Sequence, residues 1–126
     1  VESERHFFYL NNMMKLLLSN RDEMYFVPLE KVLYFEAKDH YTVIRYDNGS
    51  EFTVPFNLSY LAERVQQDER FLRVGRSHIV NQTFIHHVNA GKQILELGDN
   101  PATATTLSLS RPMLRALMNR LNQVAE

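Results

Sequence analysis

Apolar positions along the chain recur mostly with a period of two, the spacing that sends alternate side chains to one face of a β-strand. Residues 13–18 (MMKLLL) and 24–27 (MYFV) flank a polar stretch and read as a hairpin with a loose turn. Residues 32–36 (VLYFE) are rich in β-branched and aromatic side chains, and residues 41–46 (YTVIRY) form a strong strand signal after the polar break Ala37-Lys38-Asp39-His40. Asp47-Asn48-Gly49-Ser50 marks a tight turn, since Asn and Gly tolerate positive φ. Residues 51–55 (EFTVP) return antiparallel and end at Pro55. Further short strands are predicted at 71–74, 78–80, 83–88, 93–97 and 103–109, separated by Gly75-Arg76-Ser77, Asn89-Ala90-Gly91 and Gly98-Asp99-Asn100-Pro101.

The period changes to helical in two places. Asn57 is a plausible N-cap, and Leu58, Leu61, Ala62 and Val65 recur at i, i+3, i+4 and i+7. Near the C-terminus Ser110 caps a second helix and Pro112 occupies its first turn, where a missing N–H costs little. Leu114, Leu117, Met118 and Leu121 form its apolar stripe. The expectation is a mainly β, mostly antiparallel fold of about eight to ten short strands with two short helices. Residues 1–11 read as a linker or an extra strand, and residues 12–123 as one domain. Tyr41, Phe35, Phe71, Ile79 and Val80 are assigned to its core.

Composition narrows the classes. A chain of 126 residues fits one domain, and 44% hydrophobic with 23% charged residues argues against disorder. With no cysteine there is no disulfide framework, zinc–thiolate site or cysteine nucleophile. Unbroken apolar stretches, such as Leu16–Leu18 and Val32–Phe35, are far short of the ~20 residues of a membrane span, and residues 1–10 lack a signal-peptide pattern. A cytoplasmic protein or an excised fragment is the expectation, and the initial Val suggests a piece of something longer.

The net charge of −1 conceals an asymmetry. Residues 1–69 carry 7 Lys/Arg against 12 Asp/Glu, whereas residues 70–126 carry 7 against 3. That distribution is compatible with a basic face for a polyanion, and equally with charges that scatter and cancel.

Five histidines and several carboxylates are present, but none stands in a catalytic or metal-binding spacing. There is no HExxH, no GxSxG and no glycine-rich phosphate loop. His86 and His87 are adjacent on a predicted strand, so their rings are expected on opposite faces, unable to share a metal without a bulge. Neither an enzyme nor a cofactor or metal site is expected. The informative side chains are basic and sit at element ends. Arg73, Arg76, Ser77 and His78 lie in FLRVGRSHIVN, Lys38, Asp39 and His40 lie between two strong strands, and Ser110, Arg111 and Arg115 lie where the last strand meets the last helix. Arg and His donate to guanine O6 and N7, and Ser bonds phosphate. Surface ion pairing of the same arginines is the competing reading.

At these residues the chain resembles the LytTR DNA-binding domain. FLRVGRSHIVN is similar to that family's central signature, F-x-R-x-H-[RK]-S-[YF]-[IL]-[VI]-N. VLYFEAKDHYTVIRYDNG resembles its opening strand pair, FNLSYLAERV its short helix, and LSLSRPMLRAL its closing Ser-Arg and helix. The likeness spans roughly residues 13–122, with the blocks in order and at fitting separations. It departs at Gly75, where the family usually has His, and at Pro112.

The resemblance implies an elongated antiparallel β fold that reads double-stranded DNA with loops in successive major grooves. It implies the output domain of a bacterial transcription regulator, usually of a two-component system, acting on promoter sites that are commonly paired repeats. An upstream receiver or sensor domain and a homodimer on DNA belong to the same picture. Carried over position by position, His40, Arg76 and Arg111 are the base-edge readers. Lys38, Asp39, Arg73, Ser77 and Ser110 support the loops or touch phosphate, and Asn81 is structural. The alternative is a β-rich ligand-sensing or protein-interaction module whose aromatic side chains line an apolar cavity. A DNA reader needs His40, Arg76 and Arg111 along one face, and a sensing module does not.

Overall fold

The computed structural model describes residues 7–10 and 13–125. Of the predicted N-terminal segment, residues 1–6 and 11 lie outside the described residues. The described chain forms β1 (Phe7–Leu10), β2 (Met13–Ser19), β3 (Met24–Pro28), β4 (Val32–Lys38), β5 (Tyr41–Tyr46) and β6 (Glu51–Val54). Helix α1 (Leu58–Val65) follows, then β7 (Phe71–Val74), β8 (His78–Asn81), β9 (Ile85–Asn89), β10 (Ile94–Leu97), β11 (Thr105–Ser108) and helix α2 (Arg111–Ala125). Ten strands answer to the segments read from the periodicity, and the eleventh is β1. Thr83 and Phe84, expected to begin a strand, instead lie in the 3-10 turn Gln82–Phe84, which Asn81 opens by accepting the Thr83 N–H.

The strands form three sheets, every pairing antiparallel. The central sheet has the order β6-β5-β4-β8-β7, and three-stranded sheets β1-β2-β3 and β11-β10-β9 accompany it. Two apolar clusters lie on opposite faces of the central sheet. Phe35, Ile44, Val54, Phe71 and Ile79 pack with Leu16, Leu18 and Val27 of the first small sheet and with Leu58, Leu61 and Val65 of α1. Leu33, Tyr34, Leu72, Val74 and Val80 pack with Leu95, Leu97 and Leu107 of the other small sheet and with Leu114 and Leu117 of α2.

This layering explains the apolar run of β4. Its residues Val32, Leu33, Tyr34 and Phe35 are all buried, because both faces of the middle strand are covered. A register shift between Val32 and Tyr34 turns Leu33 and Tyr34 toward the same cluster. Strand β5, nearer the edge, alternates, with Thr42 and Ile44 buried and Tyr41 exposed. Helix α1 begins where the sequence indicated, Asn57 Oδ1 accepting the Tyr60 N–H at 2.8 Å, and buries Leu58, Leu61 and Val65, with Ala62 half-buried. In α2, Leu114 and Leu117 are buried while Met118 lies exposed at the margin of the stripe.

Leu16 of β2 is fully buried against the central sheet. Leu16→Ala is therefore expected to lower stability by ~2–5 kcal/mol, the usual cost of a core Leu deletion. Urea unfolding followed by far-UV circular dichroism checks this, and a midpoint equal to wild type would remove β2 from the core.

Candidate nucleic-acid interface

The geometry of the site follows from one strand pairing. Strand β4 runs antiparallel to β8, with Glu36 opposite His78, and Ala37 N–H donates to the Ser77 carbonyl at 2.8 Å. The β4–β5 turn and the β7–β8 turn thus leave the same end of the central sheet, side by side. The first turn is two residues long, Asp39-His40, between the paired residues Lys38 and Tyr41. Asp39 takes φ +56°, a left-handed conformation that Asp tolerates better than most residues. His40 is exposed, and its ring has no partner among the described residues. Lys38 is exposed too, with Nζ 3.9 Å from Glu36 Oε1, a loose ion pair of small energetic weight.

The second turn, Gly75-Arg76-Ser77, is held from inside. Arg73 Nε donates to the Gly75 carbonyl and Nη2 to the Arg76 carbonyl, both at 3.0 Å. Of the two roles open to Arg73 in the sequence, the side chain is committed to bracing the loop. Gly75 adopts φ +69°, and a Cβ there would collide with Met113 Sδ of α2. Met113, reaching across from the last helix, thus occupies the space that a side chain at this position would enter. Arg76 and Ser77 are exposed, and the side chain of each is unpartnered among the described residues.

The third element is the start of α2. Ser110 Oγ accepts the Met113 N–H at 3.4 Å, a long capping bond. Arg111 is exposed, and its Nη2 donates to the Gly91 carbonyl in the β9–β10 turn at 3.1 Å. Met113 joins this element to the Gly75 turn, and Arg120 Nη1 donates to the Arg73 carbonyl at 3.0 Å, fixing α2 along β7. A groove of about 300 Å³ lies between them, lined by Gly75, Met113, Leu117 and Arg120 among others. The structure therefore brings Lys38, Asp39, His40, Arg73, Arg76, Ser77, Ser110 and Arg111 onto connected loops. Of these, Arg73 and Ser110 are spent on internal bonds, and Arg111 is partly so.

Two expectations need correction. Tyr41, assigned to the core, is 51% exposed beside His40. The pleat gives the inward position to its neighbour Thr42, whose hydroxyl donates to the Phe56 carbonyl at 2.8 Å. Tyr41 is an exposed aromatic beside the first turn that the sequence reading missed, since no local signal sets Thr42 inward. His86 and His87 do not face opposite ways. The β9–β10 register shifts between Glu96 and Leu97, so an extra residue bulges on β9. His87 Nδ1 lies 2.6 Å from Glu96 Oε1 and His86 Nε2 lies 3.6 Å from Oε2. The His87 hydrogen bond holds the Glu96 carboxyl below its ordinary range. Among the described residues no group of three or more His, Asp or Glu side chains is arranged to hold a metal ion.

His78 stands at the root of the second turn, its Nε2 3.2 Å from Glu36 Oε2 and its ring against Tyr34. Burial pushes its pKa below the ordinary 6.5; Glu36 opposes the shift and Lys38 adds to it.

A family described as the LytTr DNA-binding domain matches residues 22–122. Among solved structures the chain resembles the LytTr DNA-binding domain of a Bacillus cereus protein described as a methyl-accepting/DNA response regulator. The likeness has a TM-score of 0.62 and 24% sequence identity, and covers 85% of this chain and 95% of that one. At that identity the likeness establishes the fold. No curated protein sequence matches the chain. Among the described residues no helix is long and apolar enough to cross a membrane.

The depressed pKa of His78 makes a pH prediction. A histidine titrating lower in the fold than in the unfolded chain favours folding in its neutral form. Its contribution is complete above about 6.5 and is lost as the pH falls through the folded-state value. Between pH 7 and pH 5 wild-type stability should fall more steeply than that of His78→Gln, measured by denaturant unfolding at each pH. Parallel curves would contradict a buried, neutral His78.

Proposed function

The chain belongs to the LytTr DNA-binding domain family, and from that premise we propose that it reads double-stranded DNA with the loops at one end of its central sheet. The supporting observation is the convergence of three sequence-distant segments, the β4–β5 turn, the β7–β8 turn and the start of α2, into a connected row. His40 and Arg76 stand there exposed and unpartnered among the described residues, and Arg111 keeps donors beyond the one used on Gly91.

The chemistry suits base edges in a major groove. Arg76 and Arg111 each carry a planar guanidinium able to grip O6 and N7 of one guanine, and His40 offers a ring N–H donor or acceptor. A major groove about 12 Å wide accepts a two-stranded turn as readily as a helix. Successive turns along the protein then meet successive grooves along the duplex. Lys38 and Ser77 face phosphate, Asp39 shapes the first turn, Arg73 braces the second and Ser110 caps α2.

In this reading residues 12–123 are the DNA-binding unit, with β1 an added strand on its N-terminal sheet. The unit is the output domain of a cytoplasmic bacterial transcription regulator, commanded by a receiver or sensor domain of a two-component system. It acts on promoter sites of paired repeats, as a homodimer on the DNA. Its work is binding, with no chemical step.

Selection from a pool of random duplexes, with sequencing of what is retained, should enrich one motif. Affinity for that motif should fall steeply with salt, as phosphate neutralisation requires. Arg76→Ala and Arg111→Ala should each weaken motif binding by ~1–3 kcal/mol, the worth of a good base contact, while leaving binding to random duplex nearly unchanged. Wild-type affinity for the motif in both variants would overturn the assignment.

A further inference from the structure

Resting on the DNA-binding reading, we propose that the β9–β10 turn is a fourth loop of the same surface and that Lys92 at its tip grips a backbone phosphate. None of the motif blocks that carry the resemblance includes this turn. Its claim comes from where the fold puts it. The Gly91 carbonyl takes a hydrogen bond from Arg111 Nη2 at 3.1 Å, so the turn touches one of the base-edge arginines. Two residues further on, the Gln93 carbonyl accepts the Leu109 N–H at 3.1 Å, which ties the turn to the segment leading into α2. The tip of this hairpin and the start of the helix are therefore one hydrogen-bonded unit.

The turn is also stiff. Asn89 Oδ1 accepts the Lys92 N–H at 2.9 Å and the Gln93 N–H donates to the Ala90 carbonyl at 3.1 Å. Ala90 is buried in the second core cluster, anchoring the base of the tip. Gln93 takes φ +61°, a left-handed conformation unfavourable for a residue with a side chain, which persists because its neighbours enforce it. Lys92 is thus a cation on a rigid, exposed platform, and it has no ion-pair partner among the described residues. Gly91 beside it is exposed and presents bare backbone, which lets another chain approach closely.

A lysine suits phosphate better than a base edge. Its ammonium is a compact point charge on a flexible stem, without the planar fork that recognises guanine. Lys92 should therefore add affinity that is independent of sequence, while Arg111 alongside it supplies discrimination. The Gly91 carbonyl, by holding one Arg111 nitrogen, orients the remaining donors and makes the turn a positioning element as well.

The test is a salt titration of binding to the selected duplex and to random duplex, for wild type, Lys92→Gln and Lys92→Arg. Lys31→Gln serves as the control, since Lys31 precedes β4 at the opposite end of the central sheet. Lys92→Gln should lose affinity several-fold on both duplexes alike. The slope of log affinity against log salt should shrink by about one, the signature of one lost phosphate contact. Lys92→Arg should restore the slope, Lys31→Gln should leave it unchanged, and the enriched motif should stay the same throughout. A wild-type slope for Lys92→Gln, a loss matched by Lys31→Gln, or a changed base preference would each overturn the fourth contact while leaving the DNA-binding reading standing. A wild type that retains no duplex even at low salt would overturn both.

Discussion

The antiparallel pairing of β4 with β8 is the constraint on which the molecule depends. Tyr34, Phe35 and Glu36 meet Val80, Ile79 and His78, residues more than forty positions away in the chain. Closing so long a loop costs conformational entropy, and the pairing repays it by forming the middle of both apolar clusters. Buried Asn81 reinforces the same contact, its Nδ2 donating to the Val32 carbonyl at 2.9 Å. With that register fixed, the turns after β4 and before β8 have no choice but to project together. A one-residue slip would exchange the faces of Phe35 and Tyr34 and separate the two turns.

Around that pair the other loops are joined by specific bonds. Arg73 closes the Gly75–Ser77 turn from within, Met113 fills the space beside Gly75, and Arg111 rests on Gly91. Each bond removes freedom that a ligand would otherwise have to remove on binding, so under the proposed function the surface is organised before DNA arrives. The charge asymmetry of the sequence acquires a place in this arrangement. Arg76, Lys92, Arg111 and Arg115 all come from the basic second half and sit on these loops or the first turns of α2. The acidic first half supplies the N-terminal sheet and most of the central one, and contributes Lys38 and His40 to the proposed site.

Local patterns were legible in the sequence because they are local in cause. The alternation in β5, the Asn57 cap, the helical spacing of Leu58, Leu61 and Val65, and the turn residues Asp39 and Gly75 all follow from neighbours within a few positions. The motif blocks likewise carried the candidate site residues onto turns and element ends, which are local features. Features set by partners distant in sequence were hidden. The Thr42 hydroxyl finds the Phe56 carbonyl and takes the inward position, which turns Tyr41 out. A bulge opposite Glu96 swings His86 and His87 toward one carboxylate, and no period of two announces it. Arg73 and Arg76 look alike in the sequence, and only the turn between them decides that one braces and the other stands free. The Asn89–Gln93 turn looked like an ordinary hairpin until the fold set it against Arg111.

The central claim is that one end of the central sheet meets the duplex. Mapping backbone amide chemical shifts while titrating a selected duplex into the protein tests it most directly. The account requires perturbations at residues 38–41, 75–77, 90–93 and 110–115. It also requires unshifted amides in the β5–β6 turn, residues 47–50, and in the β10–β11 connection, residues 98–104, which lie together at the opposite end. Perturbations centred on those opposite turns, or spread evenly over the surface, would contradict it.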